Sequence, residues 1–176
     1  MDFINSPVDV QVLPHTEDVI LNPVHPAYKK ILHIEWIITT IILLVIAGII
    51  IMTSSVIRNS YGWAIVLLAT GLVCLLYYIS IQRSFPFLAF AVREKDVMHQ
   101  RGWLIRRLKI CPFNRIQNCS MQSGPLERKY GLASLIIYTA GTTGADIRIS
   151  GLLQAEADKL RHFILSKIHT EADEAV

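Results

Sequence analysis

Two long stretches without a charged side chain, separated by only three residues, constrain this chain more than any other feature. The first runs from Trp36 to Ile57 and contains IILLVIAGIIIM, and the second runs from Tyr61 to Ile81 and contains AIVLLATGLVCLLYYISI. At about 1.5 Å of rise per residue, each makes a helix of roughly 31–33 Å, enough to cross a hydrocarbon layer of about 30 Å. Buried helices of a soluble protein are the alternative, but such long core helices have a polar stripe and neither stretch has one. We therefore predict a transmembrane hairpin over residues 34–82.

Lysine and arginine residues flank one side of this hairpin. Lys29 and Lys30 precede the first span, a series of basic residues that begins at Arg83 follows the second, and the connection carries only Arg58. Because Lys and Arg resist transfer across the membrane, we predict that both termini are cytoplasmic. We expect the first span to act as its own insertion signal, since MDFINSPVDV lacks the basic and apolar regions of a cleaved signal peptide.

Residues 1–33 differ in composition from the spans. They contain four prolines, Pro7, Pro14, Pro23 and Pro26, which prevent a long continuous helix. The sequence therefore predicts an extended N-terminal cytoplasmic tail. One interpretation places the segment PVHPAYKKILHIEW along the membrane interface, and the other is a disordered leader.

Residues 83–170 show the alternation of short β-strands, followed by one amphipathic helix. Strand patterns occur at residues 87–94 and 132–141, in KDVMHQRG, WLIRRLKICP, RIQNCSMQSG and ADIRIS, and GTTG provides a hairpin loop. The segment LLQAEADKLRHFILSKI carries apolar residues at helical spacing, and Ser150 or Gly151 is the candidate start of this helix. The sequence predicts six or seven antiparallel strands covered by a C-terminal helix, with an acidic tail at residues 171–176.

The stretch RIQNCSMQSGPLERKYGL contains no recognisable catalytic or phosphate-binding pattern. Gly124 and Pro125 are turn residues, so we interpret it as a corner between two strands. Ser120 and Ser123 have no nearby His–carboxylate pair, and GTTG lacks the GK[ST] element of a phosphate loop. The three cysteines lack the spacing of a metal site. We expect no catalytic residue, no cofactor and no metal.

The run from Cys111 to Ile164 closely resembles the bacterial pleckstrin-homology (PH)-like membrane proteins of the YdbS-like group. The points of likeness are Pro112, Arg115–Gln117, Gly124–Arg128, Gly131–Leu132, Tyr138–Gly141, Ile149–Leu152 and Ala157. The resemblance includes both spans, hence about 140 of the 176 residues, and leaves out the proline-containing tail. It implies a bent seven-stranded antiparallel sheet closed by the C-terminal helix, and a multi-pass protein of the bacterial inner membrane.

The positive charge is concentrated directly after the second span. Residues 83–115 carry eight Lys or Arg against two acidic residues, whereas residues 116–176 carry six basic and seven acidic side chains. Such a cluster attracts anionic headgroups or an acidic partner, although solvated strand faces combined with the ordinary topology signal would give the same pattern. The candidate lipid- or partner-binding residues are Arg93, Lys95, Arg101, Arg106, Arg107, Lys109 and Arg115.

Three hypotheses about function follow. The first is a non-enzymatic inner-membrane protein that presents its PH-like domain for assembly with a membrane protein partner or with another copy of itself. The alternative is a peripheral sensor of anionic lipid headgroups that uses the basic face. A more distant class is a hydrolase or transferase that uses a serine or Cys119. The basic cluster lies beside the membrane and has no recognition motif, so we expect no nucleic-acid partner.

Overall fold

The structure, a computed structural model, describes residues 19–55, 57, 61–139 and 147–174, with side chains through residue 168. Two long helices, α1 (Tyr28–Thr53) and α2 (Gly62–Ser84), form the predicted antiparallel hairpin. In their most apolar stretches only 6% and 11% of the residues are buried, whereas a soluble core helix would be mostly buried. The predicted transmembrane helices are confirmed.

Polar and aromatic contacts join the two helices near one end of the hairpin. Trp36 Nε1 donates to the carbonyl oxygen of Cys74 at 2.9 Å, and the Trp36 and Tyr78 ring centroids are 5.2 Å apart. One turn further out, Gln82 Nε2 lies 2.9 Å from His33 Nε2. Aromatic and amphipathic side chains at this level are typical of a membrane–water interface.

The helix α1 begins at Tyr28, six residues before the predicted start of the hairpin. The last residues of the predicted N-terminal tail are therefore helical and continuous with the first span. Pro23 and Pro26 precede the first helical residue, and a proline at such a position removes no helical hydrogen bond. These prolines therefore do not prevent the helix from beginning at Tyr28. Similarly, α1 ends at Thr53 rather than Ile57, while α2 continues beyond Ile81 to Ser84.

The segment before α1 belongs to the β-domain. Strand β1 (Asn22–Pro23) pairs antiparallel with β2 (Ala89–Val92), and the Val24 amide donates to the Leu88 carbonyl oxygen at 3.2 Å. The His25 amide donates to the carbonyl oxygen of Gly151 at 2.8 Å. The prediction of a separate tail is thus wrong from Asn22 onward. The transmembrane hairpin is thus an insertion between β1 and β2, two paired strands of one sheet.

In the part of the chain that the structure describes, seven strands form two antiparallel sheets. The first has the order β1–β2–β3–β4, with β3 at Asp96–Arg101 and β4 at Arg107–Pro112. A 3-10 turn, Phe113–Arg115, leads to the second sheet, whose order is β5–β6–β7. These strands are β5 (Ile116–Gln122), β6 (Leu132–Thr139) and β7 (Ile147–Leu153). The seven-strand PH-like architecture is confirmed, and its seventh strand comes from the segment ahead of the spans.

The C-terminal helix closes the domain, but its predicted start is wrong. It is numbered α4 and spans Gln154–Glu174. Residues Ser150 and Gly151 still lie in β7, because the ladder with β6 continues to the pair Leu132 and Leu153. Within the helix, Ala157 and Ile164 are fully buried against the sheets. The helix also continues through most of the predicted acidic tail, which contains no proline or glycine to end it.

The corner after β5 contains a short helix, α3 (Pro125–Lys129), instead of a simple turn. The alternation predicted for β5 is also interrupted, because a bulge lies between Ile116 and Asn118. As a result Ile116 and Cys119 are both buried, although a regular strand would place them on opposite faces. The predicted GTTG hairpin loop lies outside the described residues.

Candidate membrane-interface site

The structure divides the seven predicted basic residues into groups at different ends of the first sheet. In the β3–β4 ladder, Arg101 lies opposite Arg107, and Asp96 lies opposite Pro112 at the other end. The chain passes from α2 through the 3-10 turn Phe85–Phe87 and enters the ladder at Ala89, which pairs with Gln100. The Arg101–Arg107 end is therefore the end beside α2.

Three of the basic residues, Arg101, Arg106 and Arg107, gather at this end. The Arg106 guanidinium lies 4.7 Å from the centroid of the Phe87 ring, directly after α2. By contrast, Arg93 forms an ion pair with Asp96 in the β2–β3 turn, at the far end of the ladder. The remaining predicted residues lie away from α2: Lys95 in that turn, Lys109 within β4 and Arg115 after β4.

The loop between β3 and β4 is tightly folded and apolar at its tip. Gly102 has φ +91°, and a Cβ at this position would lie 2.3 Å from the Ile105 carbonyl oxygen, so the turn requires glycine. Beyond it, Leu104 is 78% exposed and Ile105 is 63% exposed. The loop therefore projects two large aliphatic side chains between arginines.

A cleft of about 490 Å³ separates this loop from the last turns of α2. The hydroxyl-bearing residues Ser80 and Ser84 lie on one wall, and Arg101 and Arg107 lie on the other. No carboxylate occurs among the residues that line this cleft in the described part of the chain. Two guanidinium groups and two hydroxyl groups are hydrogen-bond donors that suit a phosphate group.

His99 lies on the same strand face as Arg101 and is buried. Burial, together with the positive charges of Arg101 and Lys109, lowers its pKa from 6.5 to about 4. The imidazole is therefore neutral at physiological pH. The basic cluster carries no additional charge from this residue until the solution is strongly acidic.

We expect the domain to lose stability as the pH falls from about 6.5 to about 4. In this window the unfolded chain binds a proton at His99 that the folded chain does not bind, so the free energy of unfolding decreases, in all by about 3 kcal/mol. Thermal unfolding of the full chain in detergent at several pH values measures the slope. His99→Gln should flatten it, whereas His162→Gln, on the exposed face of α4, serves as the control. An unchanged slope in His99→Gln would contradict the assignment.

A buried polar network lies beside the first turns of α1 and was not predicted. Glu127 is 8% exposed; its Oε2 accepts the Gly124 amide at 2.8 Å, and its Oε1 accepts the Ser134 hydroxyl at 2.6 Å. The Ser134 and Ser150 hydroxyl oxygens are 2.8 Å apart. A cavity of about 440 Å³ adjoins this network and is also lined by Tyr28 of α1. The network thus joins β6, β7 and α3 close to the root of the first span.

Two of the residues considered for catalysis, Cys119 and Ser123, lie in environments that do not activate them as nucleophiles. Burial raises the pKa of the Cys119 thiol to about 11, with an opposing effect from Arg161, so the thiol is protonated and a poor nucleophile. The Ser123 hydroxyl donates to the carbonyl oxygen of Leu132 at 2.8 Å. In the described ranges, no group of three or more His, Cys, Asp or Glu side chains is placed to hold a metal ion.

Comparisons with known proteins agree with this architecture. Residues 30–168 match the Bacterial PH domain family, a range that includes both spans and the strands β2 to β7. A segment of 75 residues is 36% identical to the UPF0699 transmembrane protein YdbS of Bacillus subtilis (strain 168). That segment is 43% of this chain and 45% of the relative, so the match spans less than half of the relative's length. No solved structure matches the chain.

The family match confirms the resemblance that the sequence predicted. It covers well over half of the chain, and the two apolar helices lie within it. The chain is therefore a membrane protein that belongs to the bacterial PH domain family and is similar to YdbS.

Proposed function

We propose that this protein is a non-enzymatic inner-membrane protein whose PH-like domain, held on the cytoplasmic side, binds a membrane protein partner. The cytoplasmic placement is supported by the arginines that gather beside the end of α2, because basic residues are enriched on the cytoplasmic side of spans. Both termini then lie in the cytoplasm. The bilayer itself is the other permanent partner of the chain.

The attachment of the domain to both ends of the transmembrane hairpin supports a docking role. The hairpin leaves the domain after β1 and returns at β2, so two neighbouring strands of one sheet hold its two ends. Hydrogen bonds from Val24 and His25 fix the first connection to the domain. A domain held at two points presents its surfaces in a defined orientation to other proteins in the same membrane.

The observation that carries the proposal is the apolar surface of β4. This strand is the last of its sheet, and among the described residues only β3 pairs with it as a strand. Two of its aliphatic side chains, Leu108 and Ile110, are 38% and 45% exposed on one face. Exposed aliphatic side chains on the outermost strand of a sheet form an apolar contact surface for a partner protein.

Site-specific crosslinking in native membranes tests this proposal. A photoreactive amino acid at Ile110 is expected to give a discrete adduct with a partner protein, identified by mass spectrometry. The same amino acid at Glu156, exposed on the first turn of α4, is the matched control and should give no such adduct. An Ile110 position that yields no adduct, or the same adducts as the control, would contradict the proposal. An adduct of twice the chain's mass would identify a second copy as the partner.

The alternative hypothesis, a lipid sensor that uses all seven basic residues as one face, has less support. Arg93 and Lys95 lie at the opposite end of the β2–β3–β4 ladder from Arg101 and Arg107. In addition, Arg93 is already paired with Asp96. A single flat contact with the membrane would therefore reach only the group beside α2.

A further inference from the structure

We propose that the loop Gly102–Arg106 enters the headgroup layer of the bilayer, and that the cleft between this loop and α2 binds the phosphate of an anionic phospholipid. This inference is independent of the partner-binding role, because it concerns the end of the sheet beside the membrane. The exposed side chains Leu108 and Ile110 lie further along β4.

The height of the cleft along α2 places it at the membrane interface. The ring pair of Trp36 and Tyr78 marks the aromatic belt. Gln82, whose Nε2 is hydrogen-bonded to His33 Nε2, lies one turn further toward the domain. Ser80 and Ser84 flank Gln82 along the same helix and line the cleft. The cleft therefore opens where the headgroups of the adjacent leaflet lie.

The side chains at the loop tip match the chemistry of that layer. Leu104 and Ile105 are mostly exposed, and a loop in water gains nothing from presenting two adjacent aliphatic side chains. Next to the end of a transmembrane helix, the same side chains reach the boundary of the acyl chains. Trp103, which also lines the cleft, is the residue type enriched at that boundary.

The two positively charged side chains that line the cleft favour the binding of an anion. Arg101 and Arg107 are directly opposite each other in the ladder, and like charges at such a position repel. None of the ion pairs between described residues involves either of them. A phosphate between the two guanidinium groups removes the repulsion and accepts hydrogen bonds from both. Because the apolar loop borders the cleft, a phosphate that carries acyl chains fits better than a soluble anion.

The position of the loop is tested on the full chain in nanodiscs. A cysteine that replaces Leu104 is labelled with a nitroxide, and the accessibility of the label to oxygen and to a water-soluble nickel complex is measured by electron paramagnetic resonance. We expect preferential contact with oxygen, which dissolves in the acyl region. Glu94→Cys, in the exposed β2–β3 turn, is the control and should contact the nickel complex. The three native cysteines are buried. Equal accessibility at the two positions would overturn the insertion of the loop.

The lipid site is tested by retention of phosphatidylglycerol or phosphatidylcholine during native mass spectrometry of the full chain. We expect phosphatidylglycerol to be retained, and the double variant Arg101→Gln/Arg107→Gln to lose it by roughly tenfold. The variant Arg93→Gln/Arg115→Gln removes the same charge away from the cleft and should retain the lipid. Equal losses in both variants, equal retention of the two lipids, or displacement by inorganic phosphate would overturn the site. Since crosslinking at Ile110 is a separate readout, failure of the lipid site is distinguishable from failure of the partner-binding role.

Discussion

Replacing Gly151 with alanine is expected to release the segment before α1 from the domain and to lower the free energy of unfolding by about 2–5 kcal/mol. Gly151 has φ +79°, where an alanine is strained by about 1–2 kcal/mol. The new Cβ would also lie 2.7 Å from Tyr28 Cγ and 2.8 Å from Tyr28 Cβ, atoms near the backbone that cannot move without the helix. Overpacking of this kind costs roughly another 1–3 kcal/mol.

Hydrogen–deuterium exchange of the full chain in detergent measures the release. The amides of Val24 and His25 are protected by bonds to Leu88 and Gly151, and they should exchange faster in Gly151→Ala. Gly131→Ala is the matched control, because Gly131 has φ +66° but a Cβ added there would meet no atom within 4 Å. It should lower stability through backbone strain alone and leave these amides protected. If both variants deprotect them equally, the contact with Tyr28 is not what holds the first span to the domain.

The hairpin could be predicted from sequence because the physics leaves few alternatives. A stretch of about 20 uncharged residues in lipid must satisfy all of its backbone hydrogen bonds internally, and a helix does so with local bonds only. The strand β6 could also be predicted from the sequence, since LASLIIYT is rich in β-branched residues. In the structure, Leu132 through Ile137 are all buried. Local composition determined both features.

The strand β1 could not be predicted, because it is defined by pairing with residues that lie far away in the sequence. It has only two residues, one of which is a proline, and so it shows no alternation. Its partners Phe90 and Ala89 lie on the other side of the whole hairpin. The start of α4 was misplaced for a related reason: Ser150 and Gly151 favour a helix start by residue type, but pairing with β6 keeps them in β7.

The candidate site could be predicted in part. Counting charges identified the basic residues, but not their division into two groups, because that division depends on the register that sets Arg101 opposite Arg107. The apolar tip at Leu104 and Ile105 was interpreted as part of a strand. Only its position beside Ser84 of α2 indicates that these side chains lie at a membrane interface.

Replacing Glu127 with alanine is expected to lower the free energy of unfolding by about 2–3 kcal/mol. The substitution removes the acceptor of the Gly124 amide at the start of α3 and of the fully buried Ser134 hydroxyl. A hydrogen bond to a charged acceptor contributes about 1.5–3 kcal/mol. The Ser134 hydroxyl can turn toward Ser150, which is 2.8 Å away, so most of the loss arises at the Gly124 amide.

The variant Glu127→Gln separates hydrogen bonding from charge. Its amide oxygen can accept the Gly124 amide, and its amino group can donate to Ser134, whose own proton then points to Ser150. We therefore expect a loss of about 1 kcal/mol or less, because the number of satisfied groups is preserved. Glu156→Ala, an exposed acid at the start of α4, controls for the removal of a carboxylate and should have a small effect. Thermal and denaturant unfolding in detergent rank the three variants. If Glu127→Gln is as unstable as Glu127→Ala, then the negative charge, and not the pattern of donors and acceptors, stabilises this corner of the domain.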